Sequence, residues 1–260
     1  MLKNYEHPQA AASLGELCDI IYELTEKWGG KQTTTLPWFR GQENHQWLLQ
    51  PKIYRTGFDS LYEREMIRDF KLKSLQHING AIANEIDWLV LMQHYGMPTR
   101  LIDWSESYLI AIFFAVEHCD NKNDGAIWII DPWKLNIKSL KQQTVPISSS
   151  DLLSEYYINV SDETIQRSIK SYLPSAFRPT YNNTRIIAQK GMFTIHGRRK
   201  TPIEKTLSTQ IKNGIYKIRI NKEKKRRIYQ ELCQAGITRD VVYPDLSGLC
   251  ETIAEKYSNL

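Results

Sequence analysis

The sequence predicts an α+β fold: a mixed sheet with flanking helices in one compact domain. Three observations point there. Helix-like and strand-like segments interleave without a regular strand–helix–strand repeat. No glycine-rich loop follows a strand, which disfavours a doubly wound nucleotide-binding sheet. One helix-like segment, residues 107–119, is apolar almost all round, as befits an element buried at the centre of a domain.

The elements follow in chain order. Leu14, Leu17, Cys18, Ile21, Leu24 and Trp28 recur at helical steps, so residues 13–28 read as an amphipathic helix that Ser13 starts and Gly29-Gly30 stops. Residues 37–41 read as a short strand ending at a glycine, and residues 47–51 as a second extended piece. A helix is expected over residues 60–78, and another over 85–95 that Gly96 and Pro98 terminate. The chain re-enters as an extended segment at 99–104, before the apolar helix. A turn at 121–125 leads to a buried strand at 126–131, and residues 138–161 carry little periodicity and read as irregular. Residues 191–196 and 215–220 alternate as strands, 222–235 form a basic amphipathic helix, and 246–257 close the chain as a last helix. Together these place one domain over residues 1–260, with its core at about 15–257.

Composition narrows the function classes. With 42% hydrophobic residues and 11% aromatics the chain can bury a substantial core. A net charge of +5 tolerates an anionic ligand but falls far short of a histone-like polycation. The basic residues cluster at Arg198, Arg199 and Lys200, and at Lys222 and Lys224 to Arg227; these either meet phosphates or form a solvated helix face. The four cysteines are widely spaced without a CxxC pair, which argues against a zinc ribbon or a disulfide framework. No metal site is expected, because the histidines lack ligand spacing with carboxylates. The first twelve residues carry no apolar signal region, and the longest apolar run, 109–116, is too short to span a bilayer. A cytoplasmic protein without membrane contact is the expectation.

The candidate chemistry lies in two blocks. Arg40 leaves a short strand directly into Gly41, a pairing suited to recognising a phosphate or carboxylate; the alternative is an ion pair with Glu43 or a core aspartate. In the block from His94 and Tyr95 to Ser105, strand alternation sets Thr99, Leu101 and Asp103 on one face and Arg100, Ile102 and Trp104 on the other. Asp103 is then placed to orient Arg40, Arg100 or His94, either in a cleft or in a buried ion-pair cluster. Gln189 precedes the strand at 191–196 and is either a site residue or its polar lead-in. The markers of serine hydrolases, P-loop NTPases and dinucleotide folds are absent.

Trp38 to Gln42, Gln93 to Ser105, Arg185 with Gln189 to Thr194, and the closing Gly236-Ile237-Thr238 and Tyr243 to Leu246 together resemble the FRG domain family, over about residues 15–257. The aromatic-Arg-Gly strand, the second extended block with hydroxyls and the late strand led by a polar residue are similar to the plan of ADP-ribosyltransferases. That resemblance implies NAD as substrate, with Arg40 on the pyrophosphate, Thr99 or Ser105 on the nicotinamide ribose, and Gln189 where the family carries a glutamate. It also implies Arg100, Gly41, His94 and Tyr95 around the pocket, and a macromolecular target. A bacterial toxin or phage-defence setting, with an antitoxin or sensor partner, follows from the same resemblance. A glutamine is no base, so either another acid such as Asp103 substitutes or the nucleotide is bound without turnover. Two rival readings are a non-catalytic module for nucleic acid or protein, and a metal-independent nuclease using His94, Arg40 and Arg100.

Overall fold

The computed structural model describes residues 5–26, 28, 36–55, 62–78, 80–119, 122–161, 173–181, 183–197, 199–205 and 214–258. The expected helix stop at Gly29-Gly30, the helix start at Ser60, Asn121 of the predicted turn and Arg198 lie outside them. The architecture is α+β, and among the described residues it is built on a six-stranded sheet. Its strands are β1 (Trp38–Gln42), β2 (Leu101–Ser105), β3 (Gly125–Ile130), β4 (Ser175–Phe177), β5 (Gly191–Ile195) and β6 (Ile215–Ile220). They lie in the order β4-β5-β2-β1-β3-β6, and every pairing between them is antiparallel. Parallel contacts occur as isolated bridges, such as Glu6 with Lys217 and Ala11 with Ile220.

The pairing is uneven. β1 pairs with β3 along its whole length, from Trp38 opposite Ile130 to Gln42 opposite Ala126. β2 pairs with β5 just as fully, from Leu101 opposite Ile195 to Ser105 opposite Gly191. Between β1 and β2 a single register pair holds, Phe39 opposite Ser105. The sheet is therefore two three-stranded halves that touch at one point and part beyond it.

The cores repeat this division. On one face Trp38, Ile102, Trp104, Trp128, Ile130, Met192 and Ile215 form a cluster that runs across both halves. The opposite face carries two clusters. Phe39, Ile127, Ile129, Ile218 and Ile220 pack under α1 (Leu14–Glu26), α5 (helix Tyr108–Val116) and the basic helix at Lys225–Gln234. Leu101, Phe177, Phe193 and Ile195 pack instead under α4 (Glu85–His94), which follows α2 (Lys52–Arg55) and α3 (Glu63–Ser74) in the chain, and under the helix Asp151–Ser161. Strand alternation sends neighbours such as Trp128 and Ile129 to opposite faces, so each strand feeds both layers.

Local chemistry explains the elements beside the seam. Asn84 caps α4 by accepting from Asp87 N at 2.9 Å, and Gly96 ends it at φ 80°, a conformation that favours glycine. α5 is buried at Ile110 to Phe113 and again at Ala115 and Val116, as its uniformly apolar sequence predicts. It crosses β1 at contact distance. A Cβ on Gly41 would lie 1.9 Å from the Ala111 carbonyl oxygen and 2.7 Å from Ala115 N, so helix packing itself demands this glycine.

Several expectations need correction. Residues 47–51, read as extended, join no strand of the sheet: Leu49 N donates to Glu204 Oε2 and Leu49 O accepts from Ile203 N, so the backbone pairs with a side chain and with the first residue of a helical turn. The stretch read as irregular, 138–161, opens on the last residues of one helix, Pro132–Ser139, for which no element was expected, and ends in another, Asp151–Ser161. Asp131 caps the first through Trp133 N and Lys134 N. Ser150 Oγ accepts from Leu153 N at the start of the second, which buries Leu153, Tyr156 and Tyr157 at helical spacing. The short strand β4 and the helix Thr184–Ala188 also escaped the periodicity reading, being too brief to establish a pattern. The four cysteines are free. No helix among the described residues is long and apolar enough to cross a membrane.

Candidate functional site

A cleft of about 350 Å³ opens on the divided face, at the seam between the sheet halves. From the β1 side it is lined by Phe39, Arg40 and Gly41, with Phe114 and Glu117 of α5 and its C-terminal end. From the β2 side come Gln93 and His94 of α4, Asp103 and Ser105 of β2, and Gln189 ahead of β5. Blocks far apart in the chain meet here because β5, β2 and β1 are consecutive in the sheet.

Arg40 spans the seam. Its Nη1 donates to the main-chain carbonyl of Asp103 at 2.7 Å and stands 3.6 Å from Asp103 Oδ2. The guanidinium thus satisfies a backbone acceptor where the strands have parted. Arg40 Nε lies buried with no hydrogen-bond partner among the described residues. Burial pushes the guanidinium pKa down and Asp103 opposes the shift. Asp103 is held on its other side by Gln93 Nε2 at 2.9 Å, while Gln93 Oε1 accepts from Thr99 Oγ1 at 2.5 Å. A relay of polar contacts therefore runs from Thr99 through Gln93 and Asp103 to Arg40, fixing the cation in place.

Gln189 ends the helix Thr184–Ala188, and Lys190 turns through a left-handed φ of 47° to enter β5. Its Nε2 donates to Val242 O at 3.1 Å, and its carbonyl accepts from Ser105 Oγ at 2.6 Å. Ser105 Oγ also accepts from Ser107 N, so this hydroxyl is a joint between β2, α5 and the lead-in to β5. His94 lies near Arg185 and Asp245; burial and then the Arg185 charge push its pKa down, with Asp245 opposing. Burial and the neighbouring cation both disfavour the protonated ring.

Three expected pocket residues are elsewhere. Arg100 is buried on the other side of β2, where its Nε donates to both Glu63 carboxylate oxygens at 2.9 and 3.1 Å and its Nη2 also pairs with Oε2. Its Nη1 donates to His196 O at 3.3 Å. This is the buried ion-pair alternative, and it follows from alternation: Arg100 and Asp103 point to opposite faces. Thr99 is fully buried behind the cleft, spent on Gln93 and Leu101 N. Tyr95 stands exposed against the His94 ring, outside the lining. Gly41 does line the cleft, yet its missing side chain serves α5.

The lining groups that sequence reasoning missed include Gln93, Glu117, Arg185 and Tyr243. Glu117 matters most. Its carboxylate, 7% exposed, accepts from the Tyr243 hydroxyl at 3.0 and 3.2 Å and from Arg239 Nη1 at 3.4 Å. Burial pushes its pKa above the ordinary 4.5 and Glu43 adds to the rise, while Tyr243, His118 and Arg239 hold it back. One signal was available: an acid directly after nine apolar residues has to find partners inside. Glu43, Glu117 and His118 each bring a ligand-type atom within 4.8 Å of the others. The Arg239 cation already serves Glu117 and His118 Nδ1 pairs with Glu43 at 2.7 Å, so hydrogen bonding accounts for the grouping.

Of the basic residues, Lys225 is buried and donates to Glu43 O, and Arg227 pairs with Glu231 at 2.8 Å. The helix is thus partly a structural brace against the β1 loop.

Comparison with curated proteins and with solved structures gave no match. Comparison with protein families gave one, described as FRG domain, over residues 36–124. That stretch contains β1, α4, β2 and α5, hence Arg40, Gln93, Asp103, Ser105 and Glu117 of the cleft; Gln189 and Tyr243 come from beyond it. The chain therefore carries an FRG domain, and the cleft is built mainly from it.

Proposed function

We propose that this FRG-domain chain binds NAD or a related nucleotide in the seam cleft and transfers its ADP-ribosyl group to a macromolecule. The observation carrying this reading is the convergence of Arg40, Asp103, Ser105 and Gln189 on one cleft, the arrangement the resemblance to ADP-ribosyltransferases implies. Arg40 suits the pyrophosphate: its buried Nε is a donor that an anion would satisfy. Asp103 and Gln93 orient that cation, and Gln189 and Ser105 hold the cleft's third wall. Neither Gln189 nor Ser105 supplies a base.

Glu117 fills that part. In the transfer, the glycosidic C–N bond breaks with its electron pair leaving on nicotinamide, and the acceptor's nucleophilic atom bonds to the anomeric carbon. Glu117 takes the acceptor's proton and faces the positive charge that develops on the sugar. Its raised pKa suits a proton acceptor, and activity is expected to fall as pH drops through that raised value, because the acceptor must be ionised. The target macromolecule, a toxin or phage-defence setting and an antitoxin or sensor partner belong to the same reading. The nuclease alternative loses Arg100, which is committed to Glu63.

The test is incubation of the purified protein with labelled NAD and cell extract. Release of nicotinamide with label on a macromolecule is expected. Glu117→Gln, which keeps the hydrogen bond to Tyr243, is expected to slow release about 100-fold or more while ADP-ribose still binds. No release and no labelled product at high protein concentration would overturn the transferase reading and leave a non-catalytic binding module.

A further inference from the structure

Trp47 is shared between two concavities. It lines the seam cleft, and it also borders a neighbouring hollow formed with Gln46, Leu48, Gln50, Tyr54 and Arg55. Its indole is 44% exposed, an unusual position for the largest apolar side chain. The hollow is cationic. Arg55 forms no ion pair among the described residues, and Lys200 Nζ sits 5.8 Å over the Tyr54 ring, with its main chain tied to Gln50 Nε2. Burial lowers the Arg55 pKa and the Arg40 charge lowers it further, with Asp103 opposing. Two guanidinium groups therefore sense each other across this boundary, with the half-exposed Asp103 carboxylate to share between them. Two cations facing one carboxylate leave a net positive charge, which a further anion would offset.

We propose that the cleft continues past Trp47 into this hollow and forms a nucleoside-diphosphate subsite, in which the base stacks on Trp47 and the phosphates bridge Arg40 and Arg55. Aromatic faces bind any base through stacking, and guanidinium forks suit phosphate oxygens. The occupant is a mononucleotide-sized diphosphate rather than a nucleic-acid strand. Its binding determinants lie within one hollow and the cleft beside it, whereas a strand needs a basic groove that tracks several phosphates. This inference rests on the nucleotide reading of the cleft and adds its second cation and its base platform. Neither residue is part of a buried ion pair, so their replacement leaves the core intact.

Calorimetric titration of the full chain with ADP, adenosine and inorganic pyrophosphate tests it. Trp47→Ala is expected to weaken ADP and adenosine about tenfold and leave pyrophosphate unchanged. Arg55→Gln is expected to weaken ADP and pyrophosphate about tenfold and leave adenosine unchanged. Thermal unfolding of both variants should match the parent. The inference is overturned if ADP binds both variants as it binds the parent, or if a single-stranded oligonucleotide binds and ADP does not. Nicotinamide release separates it from the transferase reading. Release together with unaltered ADP binding by both variants removes this subsite alone. The expected binding pattern without release removes the transferase chemistry alone.

Discussion

Replacing Glu63 with alanine is expected to lower the unfolding free energy by about 3–5 kcal/mol, the cost of stranding a buried charge. Glu63 is 4% exposed and Arg100 7%, and the carboxylate takes the whole Nε/Nη2 fork of the guanidinium. Burial opposes the Arg100 charge, but Glu63 with Tyr54 more than offsets it and raises the pKa. Without Glu63 that cation would sit among Tyr54, Tyr157 and the His196 carbonyl, with no counter-charge. Removing both charges together, as Glu63→Leu with Arg100→Met, is expected to recover most of the loss, since apolar isosteres commonly replace a buried pair without penalty. Denaturant unfolding at neutral pH measures both. A loss below about 1 kcal/mol for Glu63→Ala, typical of an exposed pair, would show Arg100 free to turn elsewhere and reopen its role at the cleft. Nucleotide binding by the double variant should match the parent, because the pair lies behind β2.

Arg40→Ala is expected to weaken ADP-ribose binding about 10- to 100-fold, the range for losing hydrogen bonds from a charged donor. The same change removes the strut from Arg40 Nη1 to Asp103 O, so about 1–2 kcal/mol of stability should go with it. Arg40→Gln separates the two effects. It keeps a donor able to reach toward the Asp103 carbonyl but carries no charge, so stability should largely return while affinity stays low. Arg40→Lys should bind weakly as well, since a single ammonium cannot serve the carbonyl and a phosphate together. Affinity equal to the parent in Arg40→Ala, in a folded protein, would remove Arg40 from the site.

The long periodic elements were legible in the sequence. α5 announced itself through an apolar run that no surface helix would carry, β2, β5 and β6 through alternation, β3 through a continuous apolar run after a turn, and β1 through a short apolar stretch closed by a glycine. Strand alternation at 99–104 also separated Arg100 from Asp103 correctly. Their destinations were not legible: Glu63, which claims Arg100, lies 37 residues earlier in the chain, and no local pattern links them. Gln93 stood inside a block already singled out, but its role depends on the end of α4 facing Asp103. Gly41 was read as room for a ligand because a glycine after an arginine suggests it; only the crossing of α5 shows which neighbour needs the space. Glu117 and Tyr243 meet across 126 residues, a contact that only the folded chain creates. The split between β1 and β2 has the same origin, since it is set by which strands pair along their full length.

Amide hydrogen exchange with and without NAD probes the seam most directly. Added nucleotide should slow exchange in three separated stretches at once: residues 38–42 on β1, 93–105 through the end of α4 and β2, and 185–193 leading into β5. Protection confined to one of them, or falling only on the basic helix at Lys225–Gln234, would contradict a ligand seated where the two half-sheets part.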